Sequence, residues 1–248
     1  MPGSPRHGEP GALNNVKSSL PRRIVSEGVG TALLLAAVVG SGIMGERLAG
    51  GNVAIALLAN TLATGAALVT LILTFGSVSG AHFNPAVSLA DASQGGLSWT
   101  EAGAYVISQT VGAFAGVAVA DAMFGEPLYA WSRHVREGGP QILSEGVATF
   151  GLLAVIWGCA RRRPDAVPFA VGAYITAAYW FTASTSFANP AVTLARSVTD
   201  TFAGIRITDV PGFIAGQAAG AVAATALFRW LVPALSDVAD RVIVNHDR

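Results

Sequence analysis

Charge is what this chain has least of. Asp, Glu, Lys and Arg make up 12% of its 248 residues, against about 25% in an ordinary soluble domain. The positive and negative totals cancel to +0, which argues against the basic face that a nucleic-acid partner needs. There is a single cysteine, Cys159. It cannot form an intramolecular disulfide, and alone it cannot build a metal cluster. No nucleophile–base pair and no metal-ligand set stands out, so no enzyme activity, metal or cofactor is expected. Residues Met1 to Leu20 lack the apolar core of a signal peptide and are rich in Pro, Gly, Ser and Asn. That segment is expected to be a flexible tail.

Apolar sequence takes the place of charge. The hydrophobic share is 52% and the mean hydropathy is +0.53, more than a soluble core of this size needs. A bilayer-crossing helix takes about 20 mostly apolar residues, and six such stretches can be marked: Ile24–Met44, Val53–Phe75, Ala102–Ala120, Gln141–Ala160, Pro168–Ala183 and Val210–Leu231. Two uncharged runs are too long for one crossing each. Leu48 to Ala90 and Ala166 to Ala195 contain no Asp, Glu, Lys or Arg.

The surplus in each run holds the same phrase, Asn84-Pro85-Ala86-Val87 in one and Asn189-Pro190-Ala191-Val192 in the other. Asn is a good N-cap, and Pro is favoured as the first helical residue. Each phrase therefore predicts a helix that starts inside the membrane. That is tolerable only where two such starts meet and line a water-filled path. A helix from Pro85 to Ser93 would be about 14 Å long, close to half of the roughly 30 Å hydrocarbon core.

The marks repeat. Ser26-Glu27-Gly28-Val29 opens the first span and Ser144-Glu145-Gly146-Val147 opens the fourth. Gln109 of the third span matches Gln217 of the sixth, and the two Asn-Pro-Ala phrases fall between. Two halves of three spans each must lie in opposite senses. Inverted repeats place their functional site near the midplane, between the halves. Gly112, Gly116, Gly216 and Gly220 form small-xxx-small patterns that let helices approach closely. Arg22-Arg23 precedes the first span and Arg161-Arg162-Arg163 follows the fourth. The positive-inside rule puts both in the cytoplasm, although Arg133 and Arg136 on the opposite side are a counter-signal.

Six spans, two inverted halves and two Asn-Pro-Ala half-helices resemble the aquaporin, or major intrinsic protein, family, over Ile24 to Leu231. The resemblance implies an all-α membrane protein with six transmembrane helices and two re-entrant half-helices. It implies a homotetramer of independent pores in the cell membrane, with the lipid bilayer and small neutral solutes as partners. The expected organisation is a cytoplasmic tail at 1–20, a channel domain at 21–231 (halves 24–120 and 141–231), and a second cytoplasmic tail at 232–248.

Within that frame the asparagines cap and face the pore at once. The amide oxygen of Asn84 and of Asn189 is pinned by backbone N–H groups of its own helix, leaving each NH₂ free to donate to a solute. Two helix starts aim positive ends at one place, which repels cations. A solute that must accept from both sides breaks a proton wire. Pro85 and Pro190 set the first turns, and Ala86 and Ala191 are small enough for the helix ends to abut. The resemblance makes Glu27 and Glu145 acceptors for N–H groups of the re-entrant loops. The alternative is that they are first-turn acids at headgroup level. His82 either contacts the solute or ties down its loop.

One departure bears on selectivity. Water-selective members carry Arg directly after the second Asn-Pro-Ala, where this chain has Val192. By the same comparison the remaining filter positions are Thr64, Ser186 and, in the fifth span, either Tyr179 or Ala177, with Tyr179 favoured. Without that Arg the filter is expected to be wider and less polar. Arg196, four residues on, shares a helical face with Val192 and can lean back toward the filter. Its alternatives are snorkelling to the interface or pairing with Asp200. The variant resembles a bacterial subgroup associated with arsenic handling, which points to arsenite and glycerol-like polyols, with organoarsenicals as a further candidate. The rival readings are an orthodox water channel, a coupled transporter and a junctional protein. No charged group beside Asn84 or Asn189 favours the transporter.

Overall fold

The computed structural model describes residues 18–160 and 163–231. Arg161, Arg162 and the greater part of both expected tails lie outside the described residues. Eight α-helices follow in order: α1 (Leu20–Leu48), α2 (Val53–Ser79), α3 (Pro85–Gln94), α4 (Trp99–Phe124), α5 (Gly139–Ala160), α6 (Val167–Phe181), α7 (Pro190–Ala195) and α8 (Val210–Leu231). No strand occurs among the described residues.

Several helices run past their apolar stretches, because caps end them. Asn52 Oδ1 accepts from the N–H groups of Ala54 and Ile55 to open α2. Ser98 and Glu101 form a reciprocal capping box at α4. Gly80, at φ 88°, stops α2 in a left-handed conformation that few other residues tolerate. The chain then turns back into the bundle.

Five helices are long and apolar enough to cross a membrane, namely α1, α2, α4, α5 and α8 with its leading turn. The fifth span is shorter than expected, since α6 has 15 residues and ends at Phe181. The 3₁₀ turn Pro164–Ala166 leads straight into it. Together they rise about 28 Å, which nearly matches the hydrocarbon core of about 30 Å. The half-helices differ. α3 has 10 residues, whereas α7 has only 6 before the 3₁₀ turn Arg196–Val198.

The packing repeats with the sequence. α1 lies against α4 and α2, as α5 lies against α8 and α6. At the closest crossings glycine is required. A Cβ on Gly112 would sit 2.2 Å from the carbonyl oxygen of Gly28, and one on Gly220 would sit 2.2 Å from that of Gly146. The apolar core fills the centre, from Leu35 and Val39 on α1 to Leu153 and Trp157 on α5. Large apolar side chains such as Leu62, Ile107, Leu143 and Val222 cover the outside, which suits a hydrocarbon solvent.

Candidate functional site

The centre of the molecule is built from two strained loops. Ala81 and Phe83 precede α3 with φ of 49° each, and Ser186 and Ala188 precede α7 with φ of 51° and 47°. A non-glycine residue held there costs about 1–3 kcal/mol. Buried carboxylates offset that cost. Glu27 is fully buried and accepts from the backbone N–H of His82 (3.0 Å) and of Phe83 (2.7 Å). Glu145, also fully buried, accepts from the N–H of Phe187 (2.9 Å) and of Ala188 (2.8 Å). Neither stands in the first turn of its helix. Each is held in turn by a glutamine. Gln109 Nε2 donates to Glu27 and Ser88, and Gln217 Nε2 donates to Glu145 and Thr193.

The asparagines cap as expected. Asn84 Oδ1 accepts from the N–H of Ala86 at 2.9 Å, and Asn189 Oδ1 accepts from those of Ala191 and Val192 at 3.1 and 3.2 Å. Their NH₂ groups are not wholly free, which corrects the expectation. Asn84 Nδ2 donates to the carbonyl of Ala188 (2.7 Å), and Asn189 Nδ2 donates to that of Phe83 (2.8 Å). Each amide therefore crosses to the opposite loop and has a second hydrogen with no partner among the described residues. Pro85, Ala86, Pro190 and Ala191 form the first turns behind them.

One cavity of about 60 Å³ runs past this point, room for about four waters. Apolar side chains line it, Val38, Ile72, Leu152, Ile156 and Ile175 among them, together with the two loops, from Ala81 to Asn84 and from Ser186 to Asn189. Thr64, Tyr179, Ser186, Val192 and Arg196 all border it, and so does His82. Tyr179 donates its hydroxyl to Thr64 Oγ1 at 3.3 Å, whereas Ala177 is exposed on the outside. Of the two fifth-span residues, Tyr179 borders the cavity and Ala177 does not. Ser186 Oγ is buried with no partner among the described residues. His82 both borders the cavity and ties its loop, with Nδ1 3.1 Å from Ser88 Oγ.

Arg196 neither snorkels nor pairs with Asp200. It is 2% exposed, donates from Nε to the carbonyl of Ala203, and lays its guanidinium over the Phe187 ring at 3.4 Å. Asp200 instead takes Arg133, at 2.7 Å.

Two residues near the site carry no sequence signal, Phe187 and Arg136. Arg136 arrives on the α4–α5 loop and also stands over Phe187, 5.0 Å from its centroid. Burial pushes its pKa down to about 10, so it stays charged at neutral pH. Its acceptors, Gly204, Ser184 and Phe202, lie 48 to 68 residues away in the chain, beyond any local pattern.

The chain is similar to known proteins. The Major intrinsic protein family profile matches residues 14–167. The chain is 59% identical to aquaglyceroporin AqpS of Rhizobium meliloti, over 86% of this chain and 91% of that one. It is 32% identical to aquaporin NIP1-3 of Oryza sativa, over 82% and 71% respectively. The solved aquaglyceroporin of Plasmodium falciparum superposes with a TM-score of 0.68 at 21% identity, covering 88% of this chain and 99% of that chain, a likeness of fold. The chain belongs to the major intrinsic protein family, whose members are channels and not enzymes.

Proposed function

We propose that this channel passes small uncharged polyhydroxyl solutes, arsenite and glycerol-like polyols, together with water. The observation that carries the reading is a cavity lined both by apolar side chains and by the two polar loops. A solute such as glycerol or As(OH)₃ lays its less polar side on Leu152, Ile156 and Ile175. Its hydroxyls meet the loop carbonyls and the remaining hydrogens of Asn84 and Asn189. At the Arg196 end, Val192, Thr64 and Ser186 leave room where a bulky cation would narrow the way. Arg196 stands to the side on Phe187 and supplies donors from there. The name of the AqpS relative is in keeping with polyol passage.

The termini are assigned to the cytoplasm and the α4–α5 loop to the outside, in a multi-pass protein of the cell membrane. The pores are assigned to a homotetramer.

Stopped-flow light scattering on proteoliposomes tests the solute. Glycerol and arsenite should enter well above the rate of empty vesicles, and Val192→Arg should lower both while sparing water. Water flow with no solute entry would overturn the reading and favour an orthodox water channel, with Arg196 as its narrow point. Unchanged selectivity in Arg196→Ala would remove that residue from the filter.

A further inference from the structure

Two guanidiniums share one aromatic ring. Arg196 Cζ lies 3.4 Å and Arg136 Cζ 5.0 Å from the centroid of Phe187. Neither forms an ion pair with a carboxylate among the described residues. Buried like charges repel, so neutral acceptors have to hold them. Those acceptors are three successive carbonyls of one turn. Arg136 takes the outer two, from Nη2 to Phe202 at 3.5 Å and from Nε to Gly204 at 2.9 Å. Arg196 Nε takes the middle one, Ala203. Arg136 also donates from Nη1 to the carbonyl of Ser184 at 3.3 Å and to Thr185 Oγ1 at 3.4 Å, where the second re-entrant loop begins. The terminal nitrogens of Arg196 make no hydrogen bond among the described residues, and its side chain borders the cavity. Arg136 does not border it.

We propose that Arg136 is a positioning residue for solute selection: it occupies the carbonyls on either side of Ala203 and repels Arg196, which keeps the terminal nitrogens of Arg196 unpaired and turned to the solute. This rests on the reading of Arg196 as a cavity donor. Without Arg136, the freed carbonyls of Phe202 and Gly204 draw Arg196 away from the cavity. The channel then behaves as though Arg196 had been shortened.

The experiment measures the glycerol-to-water permeability ratio in proteoliposomes for Arg136→Ala, Arg196→Ala and the double variant. Each single change should shift the ratio several-fold and in the same direction, because both take the Arg196 donors away from the solute. The double variant should match Arg196→Ala alone, since residues acting through one another are not additive. Arg136→Lys keeps the charge but cannot span the carbonyls, and should give an intermediate ratio. It carries the test if Arg136→Ala does not assemble. If Arg196→Ala moves the ratio and neither Arg136 variant does, the positioning role is wrong. The same holds if the single effects add in the double variant. If Arg196→Ala itself changes nothing, the reading of Arg196 fails first and Arg136 has nothing to position.

Discussion

Glu145 shows how much a single carboxylate can hold in place. It accepts from two backbone N–H groups and from Gln217 Nε2 at 2.6 Å. A Gln in its place would turn an NH₂ against one of those donors. A lost hydrogen bond to a buried charged group costs about 1.5–3 kcal/mol, and the strained Phe187–Ala188 segment would lose its anchor. Glu145→Gln should therefore lower the Tm of the detergent-solubilised protein and reduce solute flux together. An unchanged Tm with full flux would mean that the loop holds its shape without the carboxylate. The matched phrases Ser26-Glu27-Gly28 and Ser144-Glu145-Gly146 make this pair legible in the chain, since an acid placed twice at one spot in an apolar span needs a partner. Arg136 was not legible. It lies in a loop, and its partners come from the far half.

Elements are ordered by how closely their backbones can approach. α1 meets α4 through Gly28 and Gly112, and α5 meets α8 through Gly146 and Gly220. An added methyl on Gly112 collides with backbone and not with a side chain that can swing aside. Overpacking of this kind costs about 1–3 kcal/mol. Gly112→Ala should lower the Tm of the solubilised protein, while Gly103→Ala, which meets nothing within 4 Å in the same helix, should leave it level or raise it. Equal effects of the two would refute the close crossing. Hydropathy located the long helices, with the start of α2, the end of α5 and both ends of α8 in place, but it missed the start of α4, set by Ser98, and the ends of α2 and α4, set by the left-handed Gly80 and Gly125. It could not show that the α4–α5 loop is a strap. Ser132 N–H donates to the carbonyl of Ser197, and Arg206 N–H donates to that of His134. Those bonds join segments that are far apart along the chain and carry no repeated motif.

As a whole, the molecule inverts the usual soluble arrangement. Polar side chains such as Glu27, Gln109, Glu145 and Gln217 are fully buried, and much of its surface is apolar. Such a body is stable only where hydrocarbon takes the place of water. Small residues at helix faces favour association inside a bilayer. The proposed tetramer predicts a native mass of four times the 25.3 kDa chain after correction for detergent. Native mass spectrometry of the mild-detergent extract checks this, and a monomer surviving at all protein concentrations would refute it. Each monomer holds its own cavity, so solute flux per chain should not depend on its neighbours' pores.

The crossed amides have a consequence for biosynthesis. Asn84 is made and inserted well before Ala188, the residue whose carbonyl receives its hydrogen bond. At about 5–20 residues per second, the first half waits seconds with that donor, and the carbonyl of Phe83, unmet in the membrane. A chain broken before Ala188 can never make either bond. Such fragments carry a persistent mark of incompleteness at the spot that would have become the centre of the pore. Only the arrival of the second half removes it.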